Sequence, residues 1–198
     1  MCIRDRLAAR VERLAAAMRA RGLRAEERVL IVLPDGFEFA EAWFATLRAG
    51  GVFAMVNPLL KADSFAYYLR YTKARIVVTA SDVLPELANA AQASRFCEHV
   101  LVVGDDAGEF TSYEDALAEE HPPELAIVEP TGPDDLAGWL FTSGSTGEPK
   151  ACVHTQADFA YSTETYALQV AGYREDDICL SVPKLFFGYA TGTNPVSY

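Results

Sequence analysis

The sequence predicts an α/β fold in which mostly parallel sheets are flanked by helices. Two observations carry this expectation. Short apolar runs of strand length, such as residues 28–33 (RVLIVL) and 75–79 (RIVVT), alternate with longer segments whose apolar residues recur at helical spacing. The runs are apolar at consecutive positions rather than alternate ones, as expected of strands covered on both faces.

The elements follow in order. Leu7, Val11, Leu14 and Met18 fall on one helical face, so the chain opens with an amphipathic helix that closes near Gly22. Residues 28–33 form a strand stopped by Pro34-Asp35-Gly36. Residues 37–49 read as a helix closed by Gly50-Gly51, 52–56 as a strand ended by Asn57-Pro58, 63–73 as a helix and 75–79 as a strand. Ser81 or Asp82 is suited to cap the next helix, whose first turn accepts Pro85. A strand at 100–103 and a short helix at 112–119 complete a first lobe, residues 1–120. Residues 121–135 hold Pro122, Pro123, Pro130 and Pro133 among several acids, and read as a surface crossing to a second lobe that begins at 136 and runs to 198. There, 136–142 (LAGWLFT) is a buried strand, 143–150 a polar loop and 151–154 a short return strand. Thr155 with Asp158 three positions on has capping-box spacing and opens a helix that ends near Gly172. Residues 178–182 are strand-like.

Composition excludes several classes. Apolar residues make up 51% of the 198, enough for a substantial core. The net charge of −11 argues against a nucleic-acid partner or an anionic membrane surface, both of which need a basic face. No apolar run approaches the roughly 18 residues of a membrane span. Cys2, Cys97, Cys152 and Cys179 are scattered without a C-x-x-C pair, which fits a reducing cytoplasm better than a disulfide framework. His99, His121 and His154 lack ligand spacing, so no metal ligand is assigned.

The segment richest in chemistry is Thr142-Ser143-Gly144-Ser145-Thr146-Gly147-Glu148-Pro149-Lys150. Thr142, Ser143, Ser145 and Thr146 bring hydroxyls, Gly144 and Gly147 let backbone N–H groups turn toward one point, and Lys150 adds a positive charge. Converging donors plus a cation suit a polyphosphate. Its ends are held by strands, and Pro149 stiffens it, which sets it apart from a Ser/Gly linker. A Walker A loop does not fit: Pro149 takes its second glycine position and Ala151 its magnesium-binding hydroxyl position. The dinucleotide fingerprint G-x-G-x-x-G is absent.

TSGSTGEPK resembles the phosphate-loop signature of the adenylate-forming superfamily, which includes acyl- and aryl-CoA synthetases, luciferases and peptide-synthetase adenylation domains. The usual form ends in P-K-G; here Ala151 stands in place of that glycine. Residues 27–40 (ERVLIVLPDGFEFA) resemble the family's early strand–turn–helix, 47–61 (LRAGGVFAMVNPLLK) its second signature and 61–80 the unit that follows. The resemblance implies a truncated N-terminal domain of an adenylate-forming enzyme, with the C-terminal domain and its catalytic lysine outside the chain, so no catalytic residue is assigned within it. It implies ATP, Mg2+ and coenzyme A as substrates or cofactors of the full-length enzyme, a small carboxylic acid as its partner, and an acyl-adenylate followed by a thioester. Thr142, Ser143, Gly144, Ser145, Thr146, Gly147 and Lys150 would bind the ATP phosphates.

Residues 182–193 (VPKLFFGYATGT) border the acyl pocket in that family, and K-L-F-F-G-Y is similar to the benzoate-CoA ligase branch. Phe186, Phe187 and Tyr189 would wall an aromatic ring, with Gly188 leaving it room. Lys184 either approaches the acid's carboxylate or stays in solvent. Alternatives are an aliphatic acid, a carrier protein as acyl acceptor, or a non-catalytic nucleotide-binding protein. The fragment alone is expected to be inactive. Residues 1–6 (MCIRDR) and 195–198 (PVSY) resemble translated adapter sequence and are expected to carry no function.

Overall fold

The computed structural model describes residues 3–142, 147–174, 176–178, 180 and 182–193. Its centre is a seven-stranded sheet in the order β5-β4-β3-β1-β2-β6-β7. The strands are β1 (Arg28–Val32), β2 (Val52–Met55), β3 (Ile76–Ala80), β4 (His99–Val103), β5 (Thr111–Ser112), β6 (Leu136–Thr142) and β7 (Lys150–Thr155). The pairings from β5 through to β6 are all parallel; only β7 runs antiparallel, on β6.

Every residue of β2 and β3 is buried, which is why their sequences are continuously apolar rather than alternating. Helices α1 (Ile3–Ala20), α2 (Phe37–Arg48), α3 (Ala62–Thr72), α4 (Leu84–Ala93) and α5 (Tyr113–Ala118) supply the covering layers. Trp43, Phe39, Phe53, Phe65, Leu14 and Met18 are among the largest fully buried side chains, so the core lies between these helices and the sheet. A polar clamp sits within it. Arg10 Nε lies 2.6 Å from the buried Glu41 carboxylate, and Tyr113 Oη donates to the other Glu41 oxygen at 2.8 Å. One carboxylate thereby ties α1, α2 and α5 together, and its burial is offset by two good partners. Burial and then the Glu41 charge hold the Tyr113 phenol well above the ordinary tyrosine range.

Several expectations need correction. Neither Ser81 nor Asp82 caps α4: they form a 3₁₀ turn, Ser81–Val83, and Val83 takes the cap position with no side-chain bond, although Pro85 does sit in the first turn. The helix after Thr155 is α6 (Gln156–Ser162), opened by the expected capping box, but it continues to Gly172 as a π-helical stretch, Thr163–Ala171. Ile178, Leu180 and Val182 belong to no strand and are almost wholly exposed, so they lack the burial that a strand of this composition relies on. A helix that the pattern did not predict, α7, spans Gly188–Thr193. The strands on both sides of residues 121–135 share one sheet, since β6 pairs directly with β2. Among the described residues no helix is long and apolar enough to cross a membrane.

Candidate functional site

Because β1 to β6 run parallel, their carboxyl ends share one edge of the sheet. In open α/β sheets that edge is where ligands bind. The turn 34–36 leaves it from β1, and the polar loop leaves it from β6.

Thr142 ends β6 and Lys150 begins β7, and the antiparallel register sets them directly opposite each other. Both are exposed. The hydroxyl at one side of the hairpin mouth and the ammonium at the other therefore come from adjacent, hydrogen-bonded strands. Gly147 adopts φ 115°, a conformation that side chains disfavour, and among the described residues a Cβ there would meet nothing within 4 Å. Ser143, Gly144, Ser145 and Thr146 lie outside the described residues.

The hairpin leans on α3 through a row of aromatic rings. Tyr68 and Phe141 meet edge to face with centroids 4.7 Å apart, and Tyr71 touches both Phe141 (5.7 Å) and Trp139 (6.1 Å). Two hydroxyls extend from this row. Tyr67 Oη donates to the Pro149 carbonyl at 2.6 Å, and the Ala151 N–H donates to Tyr71 Oη at a longer 3.4 Å. Burial, then the charge of Glu148, raises the Tyr67 pKa above the ordinary tyrosine value, so the phenol keeps the proton it donates. These tyrosines were not singled out from the sequence. Their i, i+4 spacing on a helix was the available signal, but nothing local says what that face meets.

The aromatic turn reaches the same edge of the sheet. The Leu185 N–H donates to Asp35 Oδ1 at 2.9 Å, and Lys184 Nζ lies 3.5 Å from Asp35 Oδ2. Lys184 is therefore paired with the acid of the β1 turn. Phe186 is half-buried against the core, with its ring centroid 4.5 Å from that of Phe187, while Phe187 and Tyr189 remain 53% and 68% exposed. A side chain at Gly188 would meet Leu140 at 3.4 Å. Beside this contact lies a cavity of about 270 Å³, lined by Leu140, His154, Asp158, Phe159, Tyr161, Ser162 and Thr191. None of Phe186, Phe187, Gly188 and Tyr189 lines it. His154 Nδ1 stands 3.0 Å from Asp158, which also accepts from the Thr155 N–H at 3.2 Å. Burial alone would raise the Asp158 pKa, but these hydrogen bonds hold it below the usual aspartate range.

Among the described residues no three His, Cys, Asp or Glu side chains converge to hold a metal ion.

Residues 5–196 match the family described as AMP-binding enzyme. The chain is similar to the benzoate–CoA ligase of Thauera aromatica, at 37% identity over 95% of this chain and 35% of that protein. It is also similar to the 4-hydroxybenzoate–CoA/benzoate–CoA ligase of Rhodopseudomonas palustris, at 32% identity over 92% of this chain and 33% of the relative. The solved structure of a benzoate CoA ligase from Burkholderia xenovorans superposes with a TM-score of 0.84 at 30% identity, over 96% of this chain and 36% of that one. The chain thus spans about a third of the length of the relatives it matches.

Proposed function

Because this chain belongs to the AMP-binding enzyme family, we propose that the protein containing it activates a carboxylic acid with ATP and passes the acyl group to coenzyme A. The acid is an aryl one such as benzoate or a hydroxybenzoate. The relatives' named activities support that choice. The 198 residues alone do not complete the reaction, and the enzyme works in the cytoplasm.

The observation that carries this reading is the opposition of Thr142 and Lys150 at the mouth of the β6–β7 hairpin. A carboxylate is a poor electrophile, and bringing it to a phosphate sets anion against anion. A cation and hydroxyls fixed at a strand end offset that repulsion without reorganising during the reaction. Lys150 holds phosphate charge. Thr142, Ser143, Ser145, Thr146 and the backbone at Gly144 and Gly147 donate hydrogen bonds. Mg2+, bound with the nucleotide, supplies further neutralisation of the phosphate oxygens.

The test uses the full-length protein. Lys150→Ala is expected to lower benzoate-dependent ATP–pyrophosphate exchange by roughly 100-fold. Exchange at the unaltered rate would end the phosphate-loop reading. A panel of aryl and alkyl acids, each with and without coenzyme A, then reports substrate and acceptor. Preference for a medium-chain fatty acid would refute the aryl assignment, and adenylate accumulation with coenzyme A present would refute the thioester step.

A further inference from the structure

We infer that Tyr67 and Tyr71 of α3 are positioning residues for Lys150, fixing the backbone on either side of it so that its ammonium is held at the mouth of the hairpin. The inference rests on the reading of residues 142–150 as the phosphate loop and adds to it the elements that hold the loop in place.

The need follows from the sheet. Among the described residues β7 pairs on one side only, with β6. An edge strand has unpaired ladder groups and frays first at its ends. Lys150 is the first residue of that strand, where a lysine with four rotatable carbons is least constrained. On β6, by contrast, residues 138–140, just before Thr142, are held by β2 as well as by β7. The two sides of the loop are therefore unequally supported by the sheet itself.

The tyrosines restore the balance. Tyr67 donates to the carbonyl of Pro149 at 2.6 Å, immediately before Lys150, and Tyr71 accepts from the N–H of Ala151, immediately after it. The two residues are one helical turn apart, so a single face of α3 delivers both hydroxyls. The rings are anchored independently of the hydroxyls: Tyr71 packs on Trp139 and Phe141, and Tyr67 lies 5.7 Å from Tyr71. Neither tyrosine touches the reacting atoms; each acts through the position of Lys150.

Packing and positioning separate experimentally, because Tyr→Phe keeps the rings and removes only the hydroxyls. In the full-length protein, Tyr67→Phe is expected to lower kcat/KM for ATP in benzoate-dependent pyrophosphate exchange by roughly three- to tenfold, the range a lost hydrogen bond gives. KM for benzoate should stay within about twofold of wild type. Tyr71→Phe should act in the same direction but less, since its bond is longer. In a Lys150→Ala background, Tyr67→Phe should add less than about twofold, because the residue it positions is gone. An unchanged kcat/KM for ATP in Tyr67→Phe, beside a severe loss in Lys150→Ala, would overturn the role of the tyrosines and leave the phosphate loop standing. Equal losses toward ATP and benzoate, or full additivity with Lys150→Ala, would likewise reduce the tyrosines to packing. Full activity in Lys150→Ala would overturn the loop and the inference together.

Discussion

Cys97 and Cys152 show how far two thiols of one chain can differ. Cys97 is half-buried behind β4, with Sγ 3.7 Å from the His99 carbonyl, and burial pushes its pKa up to about 11. At pH 8 only about a thousandth of it is thiolate, the reactive form. Cys152 lies exposed on β7. Brief treatment with iodoacetamide at pH 8, read by peptide mass spectrometry, should label Cys152 well before Cys97; equal labelling would mean that β4 opens readily. The same contrast governs what single residues disclose in sequence. Lys150 and Thr142 stand out in the sequence as candidates, because hydroxyls, glycines and a lysine in that order suit a polyphosphate. Tyr67 and Tyr71 do not, since a tyrosine on a helix face reads as ordinary packing until the sheet order brings that face to a hairpin some 80 residues away.

At the level of elements, β6 carries the largest demand. Gly138 stands in register with Phe53 of β2, and a Cβ at Gly138 would overlap the Phe53 ring. The strand pairing is also irregular between Leu136 and Gly138. Gly138→Ala should therefore destabilise the fold by about 1–3 kcal/mol, seen as a lower thermal midpoint, and Phe53→Leu in the same chain should recover part of the loss. An unchanged midpoint would show that the ring moves aside at little cost. Six of the seven strands of the sheet, all but the short β5, and most helix starts were legible because their signals are local: an apolar run, a turn former, the Thr155–Asp158 box. What was not legible depended on neighbours. Ile178, Leu180 and Val182 have the composition of a strand, but a strand also needs an adjacent edge. The extent of the helix beyond Thr155 was read correctly, while its change to a wider π-helical winding at Thr163 has no signature in residue type. The start of α4 was misjudged by one to two residues because Ser81 and Asp82 are equally good in a 3₁₀ turn.

For the whole molecule, the apolar pattern correctly announced parallel strands between helices, yet it could not give their order. Residues 121–135 lie at or near the surface, and β6 beyond them joins the sheet beside β2. The described site is also open. Among the described residues Phe187 and Tyr189 are more than half exposed and Lys184 pairs with Asp35, so these side chains enclose no acid. The purified 198-residue chain given ATP, Mg2+, coenzyme A and benzoate should accordingly form no benzoyl-CoA above background by liquid chromatography; measurable product would show these residues to be sufficient. The join between β2 and β6 has a further consequence, for folding. Phe53 and Gly138 meet across some 85 residues, whereas β1 and β2 pair across little more than a helix. Loop-closure entropy disfavours the longer join. During synthesis the five earlier strands can associate before the sixth leaves the ribosome, so the β6–β7 hairpin joins a sheet that is already formed.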